Sequence, residues 1–160
     1  MQIRQRVTSS NNPASLATPS AGNLLRAWVY ADQQAPPSLG AGWQLIASAG
    51  QASGPVSLAL WARIAEGDET SVAIDGTPPS QYRIEVVELE SEGEPWGDAE
   101  DAFIDATVTH GNGVQSSSIS TPQITTAREA LVEAAMGCTT GTATSDVSSG
   151  WTSRSFIGGR

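Results

Sequence analysis

The chain contains no lysine, one cysteine, one histidine and few aromatic residues. Each shortage excludes something. Cys138 alone cannot form an intrachain disulfide, so a domain of 160 residues has to rest on its own hydrophobic core. His110 and Cys138 are too few to ligate a structural zinc ion, and a nucleophile paired with a histidine base would have to use His110, in the loop THGNG. No Gly-rich loop ends in lysine, which removes the phosphate-cradling P-loop. Eight basic residues, all arginine, stand against 17 acidic ones for a net charge of −9. Affinity for a phosphate backbone comes from neutralising phosphates with Lys and Arg, so no nucleic-acid partner is expected. No apolar run approaches the ~20 residues of a membrane-spanning helix. The N-terminal stretch lacks the apolar centre of a secretory signal, and the expectation is a soluble chain made in a cytoplasm with no membrane partner. No catalytic residue, cofactor or metal ligand set stands out, so the chain is not expected to be an enzyme.

What is present is the vocabulary of strands and turns, with Gly, Ser, Thr and Ala abundant. From Val56 the apolar residues alternate through Leu58, Leu60, Ala62 and Ile64, while Ser57, Ala59, Trp61 and Arg63 take the other parity. Period two predicts a strand with one buried and one wet face. Glu66–Glu69 interrupts with a polar turn before Ser71–Ile74 resumes the pattern, which predicts an antiparallel hairpin. Leu24–Tyr30 is apolar on both parities, as a central strand should be. Trp43–Ala47 and Tyr82–Leu89 read as further strands, separated by Pro- and Gly-containing loops at 32–42 and 75–80. Phe103–Thr109 and Ser118–Ser120 are also strand candidates. Ala127–Met136 fits helix by propensity and strand by alternation.

Two segments depart from this pattern. Met1–Ala21 is rich in Ser, Asn, Pro and Thr, with Ile3, Val7 and Leu16 as scattered apolar residues. It reads as an extended arm, either flexible or ordered only against a neighbouring subunit, ahead of a domain spanning 22–160. Arg4 and Arg6 are its charges, suited to an acidic edge on another copy. Such an edge exists in the sequence, because nine of the 17 acidic residues fall between Glu85 and Asp105. Within it Glu90, Glu92, Asp98, Glu100 and Asp101 offer oxygen ligands for calcium, although their spacing is not that of an EF-hand, and a solvated acidic loop is the plainer reading. Of the five tryptophans, Trp28, Trp43 and Trp151 suit a core or sheet edge. Trp61 lies on the polar parity of its strand and Trp96 within the acidic loop, where each would serve a protein or a sugar partner.

The strings AGNLLRAWVYADQQAPPSLGAGWQLIASAG and SGPVSLALWARIAEGDETSVAI, followed by ITTAREALVEAAMG and SSGWTSR, resemble a pattern found in phage and prophage tail or virion-associated proteins. There a GNLLVA strand is followed by GWTLI, by LALYYKIA with a later SVT, and by TTADALLVAA. The likeness covers roughly residues 21–151. It implies an all-β fold, an antiparallel β-sandwich of jelly-roll type, in a virion component. The acidic segment Glu90–Asp101 is not part of the pattern. Taken with the residues above, the resemblance implies a virion structural protein, with a head decoration (cement) role favoured by the short length and the lack of a coiled-coil or β-helical repeat. Its partners would be the major capsid or tail protein and further copies of itself, a trimer suiting either a threefold capsid site or a fibre. Arg4, Arg6, Trp61 and Trp96 are the partner-binding candidates. A tail or fibre component, or a carbohydrate-binding module for host attachment, is the alternative.

Overall fold

A strand that is apolar on both faces has to sit inside a sheet that is covered on both sides. The computed structural model describes residues 1–50 and 56–99, and in it that strand does so. The elements are β1 (Gln2–Ser9), β2 (Ala14–Ser15), β3 (Leu24–Ala31), β4 (Gln44–Gly50), β5 (Ser57–Ile64), β6 (Ser71–Val72) and β7 (Tyr82–Glu90). Five of them form one antiparallel sheet in the order β1-β7-β3-β5-β4, and β2 pairs with β6 in a second, two-stranded sheet. There is no helix among the described residues, and the fold is all-β and β-sandwich-like.

The two faces of the large sheet bury different clusters. On one, Ala27, Val29, Ile84 and Val86 pack against Ala14 of β2, Val72 of β6 and the loop residues Leu39 and Ile74, with Leu16, Trp43, Trp61 and Tyr82 around them. On the other, Leu24, Ala62, Val87, Leu89 and Ala99 form a second cluster, flanked by Ile3, Ile46, Ile64 and Trp96. The loop after β3 is carried to the first cluster by its own hydrogen bonds. Asp75 N–H donates to the Ser38 carbonyl at 2.9 Å, and Ser38 Oγ lies 3.1 Å from Asp75 Oδ2, which seats Leu39 between them and the sheet.

Three sequence expectations need correction. First, the segment Val56–Ile74 is not a hairpin. β5 pairs with β3 and β4, whereas β6 crosses to the small sheet. The polar turn is too strongly self-bonded to return the chain alongside β5. Glu69 accepts from the N–H groups of Glu66 and Gly67 at 2.9 and 3.0 Å, and Arg63 pairs with Glu66 and Glu69 at 2.9 and 3.1 Å. Gly67 takes φ +91° there, and a Cβ on it would come within 3.1 Å of the Ala21 Cβ.

Second, residues 1–21 do not form a detached arm. The segment is extended, but β1 pairs with β7 from Gln2↔Glu90 to Ser9↔Ile84, and Ala14 is fully buried. Few apolar side chains were needed for this, because the outer edge of β7 requires backbone donors and acceptors, which any extended segment supplies. Third, the second parity of β5 is not wet: Ser57 and Ala59 are buried on it, under the layer that β2, β6 and the loops provide. The segments Phe103–Thr109, Ser118–Ser120 and Ala127–Met136, with His110, Cys138 and Trp151, lie outside the described residues.

The two clusters separate side chains that hold the fold from those that do not. Ile84→Ala, at a fully buried position, should cost about 2–5 kcal/mol in urea unfolding. Leu45→Ala, at a side chain 45% exposed on β4, should stay within about 0.5 kcal/mol of the parent.

Candidate interaction surface

The described residues bring two of the four sequence candidates to one edge of the large sheet and place the other two within its packing. The edge is β1 against β7. Between Ile3 and Gln5 the register shifts by one residue, which leaves Arg4 with no residue opposite it. Such a bulge re-aims the side chain, and Arg4 Nη2 reaches Glu90 at 2.7 Å. Its hydrogen bond and charge pairing with Glu90 raise the Arg4 pKa further above the range in which it could lose its proton. Next to it the Met1 ammonium lies 2.8 Å from Glu92. Arg6, opposite Val87, is half-buried. The arginine-to-acidic-edge pairing anticipated between copies is thus made by Arg4 within one chain.

Behind this exposed row lies a group that charge counting alone misses. Glu88 is only 4% exposed, on the same parity as the buried Ile84 and Val86. A buried carboxylate is costly unless it is hydrogen-bonded, and this one is supplied from three directions. Ser20 N–H donates to Oε1 at 2.9 Å, Asn23 Nδ2 to the same oxygen at 2.6 Å, and Gln5 Nε2 to Oε2 at 2.7 Å. Gln5 also donates to the Ala17 carbonyl at 2.8 Å and accepts from the Ala17 N–H at 3.2 Å. One carboxylate therefore joins β1, the 17–23 loop and β7. Burial pushes its pKa up, but the hydrogen bonds from Ser20, Gln5 and Asn23 and the positive charge of Arg4 outweigh burial and hold it below 4.5. The sequence signal was an acid at an apolar-parity position of the strand.

The tryptophans sit differently from expectation. Trp61 is opposite Ala27 on β3 and Leu45 on β4, half-buried, and packs on the first cluster. Its indole Nε1 is buried without a hydrogen-bond partner among the described residues. Trp96 donates from Nε1 to the Leu89 carbonyl at 3.3 Å and packs on the second cluster. Both residues are half-buried. The exposed large apolar side chains among the described residues are Met1 and Leu45, at opposite edges of the sheet. Edge β4 carries no charge over Gln44–Gly50, in contrast to β1 with its two arginines.

Of the acidic segment, Glu90 and Glu92 are engaged by Arg4 and the Met1 ammonium. Among the described residues no three acidic, histidine or cysteine side chains gather as a cation site; Glu100 and Asp101 fall outside them.

The Glu88 network has a pH signature. Its folded pKa is below the ordinary value, so the unfolded chain binds more protons in the window between the two, and stability is lost as pH falls from about 4.5 through the folded value. Urea midpoints measured from neutral pH downward should show this acid limb, and Glu88→Gln should flatten it while lowering stability at neutral pH, because its amide nitrogen meets a donor where Oε2 accepted from Gln5.

Comparison with models of known protein families, with characterised proteins and with solved structures finds no match to this chain.

Proposed function

We propose that this chain is a structural component of a bacteriophage virion, a head decoration protein that binds the coat or further copies of itself. The observation that carries the reading is where the resemblance falls. The stretches NLLRAWVY, GWQLIA and LALWARIA coincide with β3, β4 and β5, which are three adjacent strands of one sheet. A likeness spread over chance alternation need not be contiguous in space, whereas a shared building block is. Assembly by burying surface suits a sheet whose two described edges, each with a register shift, differ in character, one charged, the other uncharged with Leu45 exposed.

In this role the protein is made in the host cytoplasm and ends in the particle. Its working parts are surfaces, with hydrophobic contacts at the centre of each interface and charges such as Arg6 and the acidic row at the rim. The packing of Trp61 and Trp96 on the two clusters gives them a supporting part in shaping those surfaces.

The test is placement. Particles from the strain that carries this gene should contain the chain when purified by density gradient and analysed by quantitative mass spectrometry. Its copy number should be comparable with that of the major coat protein, and immunogold label should fall on heads. A copy number far below the coat protein with label on tails would move the protein to a tail or fibre role. Absence from particles, together with saturable binding of the soluble protein on a glycan array, would overturn the reading in favour of a carbohydrate-binding module.

A further inference from the structure

Strand β1 is held in a way that allows it to be traded. None of its eight residues is fully buried, whereas β3 buries seven of eight and β7 six of nine. Its attachment is the backbone ladder, the half-buried Ile3 at the margin of the second cluster, and polar contacts: Gln5 to Glu88 and Ala17, Arg4 to Glu90, and the Met1 ammonium to Glu92. Elements fastened with little apolar burial open at a lower free energy than the core they lie on. The strand it lies against is of the opposite kind. Val86, Val87 and Leu89 of β7 are each at most 4% exposed, so β7 stays held in the sheet when β1 leaves, and its unpaired backbone donors and acceptors recruit another strand.

The boundary of the removable piece is sharp. Asn12 is fastened to the segment after β6, its Oδ1 accepting from Ile74 N–H at 2.8 Å and its Nδ2 donating to the Ile74 carbonyl at 3.2 Å, and Ala14 follows fully buried. Ser10 and Asn11 are left as the hinge between β1 and this anchor. Charge favours exchange over simple opening. Residues 1–11 hold two arginines, Arg4 and Arg6, and no acid, so the segment that leaves one copy carries positive charge to the acidic residues beside β7 of another.

We propose that β1 is an exchangeable strand: residues 2–9 of one copy pair with β7 of a second copy, with Ser10 and Asn11 as the hinge and Glu88 as the latch. The bulge sets the register, because it places Arg4 beside Glu90 and Gln5 beside Glu88, and a second copy supplies both partners in identical geometry. Exchange of an identical element between copies makes an oligomer with no new interface chemistry beyond the hinge. This deepens the assembly reading by naming a second copy of the chain as partner.

Two separately purified full-length proteins test it, one Cys138→Ser with Val7→Cys, the other Cys138→Ser with Val86→Cys. Val7 and Val86 are opposite each other, and antiparallel partners have Cα atoms about 4.5–5.5 Å apart, within disulfide reach. Val86 is 1% exposed, so collision of two intact monomers does not reach it. After mixing, incubation and oxidation, peptide mass spectrometry should find residue 7 of one protein linked to residue 86 of the other. The yield should rise with incubation time and concentration, and several-fold when Glu88→Gln is added to the Val86→Cys protein. Ile3→Cys with Leu89→Cys repeats the test at a second opposed pair, should Val86→Cys not fold. The proposal is overturned if neither mixture gives the crosslink while both cysteines placed in one chain oxidise readily to an internal disulfide. That outcome would leave placement in the particle untouched, since placement is read on particles.

Discussion

The structure depends on the double burial of β3. Ala27 and Val29 face one cluster while Leu24 faces the other, and all three are at most 1% exposed. A strand of this kind is stable only with a neighbour on each edge and a layer on each face. The neighbours are β5 and β7, and β1 and β4 follow outside them. For one face the layer is assembled from pieces too short to stand alone: two residues of β2, two of β6, and the loops that carry Leu39 and Ile74. What turns at the sheet edges do, and where the N-terminal segment goes, follows from the need to finish that layer.

Much of this was legible because side-chain alternation reports which faces are buried. The central place of β3, the strands β4, β5 and β7, and the absence of a regular element over residues 91–99 were all readable from apolar parity and from Gly and Pro. Pairing partners were not. Whether β5 meets β6 depends on whether the Glu66–Glu69 turn reverses the chain in the plane of the sheet or carries it out of that plane. That is decided by Arg63, by the carboxylate of Glu69 and by a left-handed Gly67 acting together. The strand nature of Gln2–Ser9 was hidden for a different reason. Its attachment is mostly ladder and polar side chain, and neither leaves a periodic trace in the sequence.

The same distinction governs the candidate surface. Arg4 was recognisable as a partner for acid, yet its target is Glu90 on the adjacent strand of its own chain rather than a neighbour's. Glu88 looked like one more member of an acidic run, whereas its parity puts it in the interior, where it organises Gln5, Ser20 and Asn23. Trp61 does lie on the polar parity of its strand, but that parity is not open to solvent, because a second layer covers it too.

One contact also limits how the sequence can drift. A side chain at position 67 would press on Ala21, whose backbone nitrogen and Cβ lie 3.2 and 3.1 Å from where its first carbon would stand. The loops at 20–23 and 65–67 are hydrogen-bonded to each other as well, through Gly22 to Ala65 at 2.9 Å and Ala65 to Asn23 at 2.8 Å. Position 67 is therefore held to glycine twice over, by its left-handed backbone and by a neighbouring loop whose main chain no substitution at position 21 would remove.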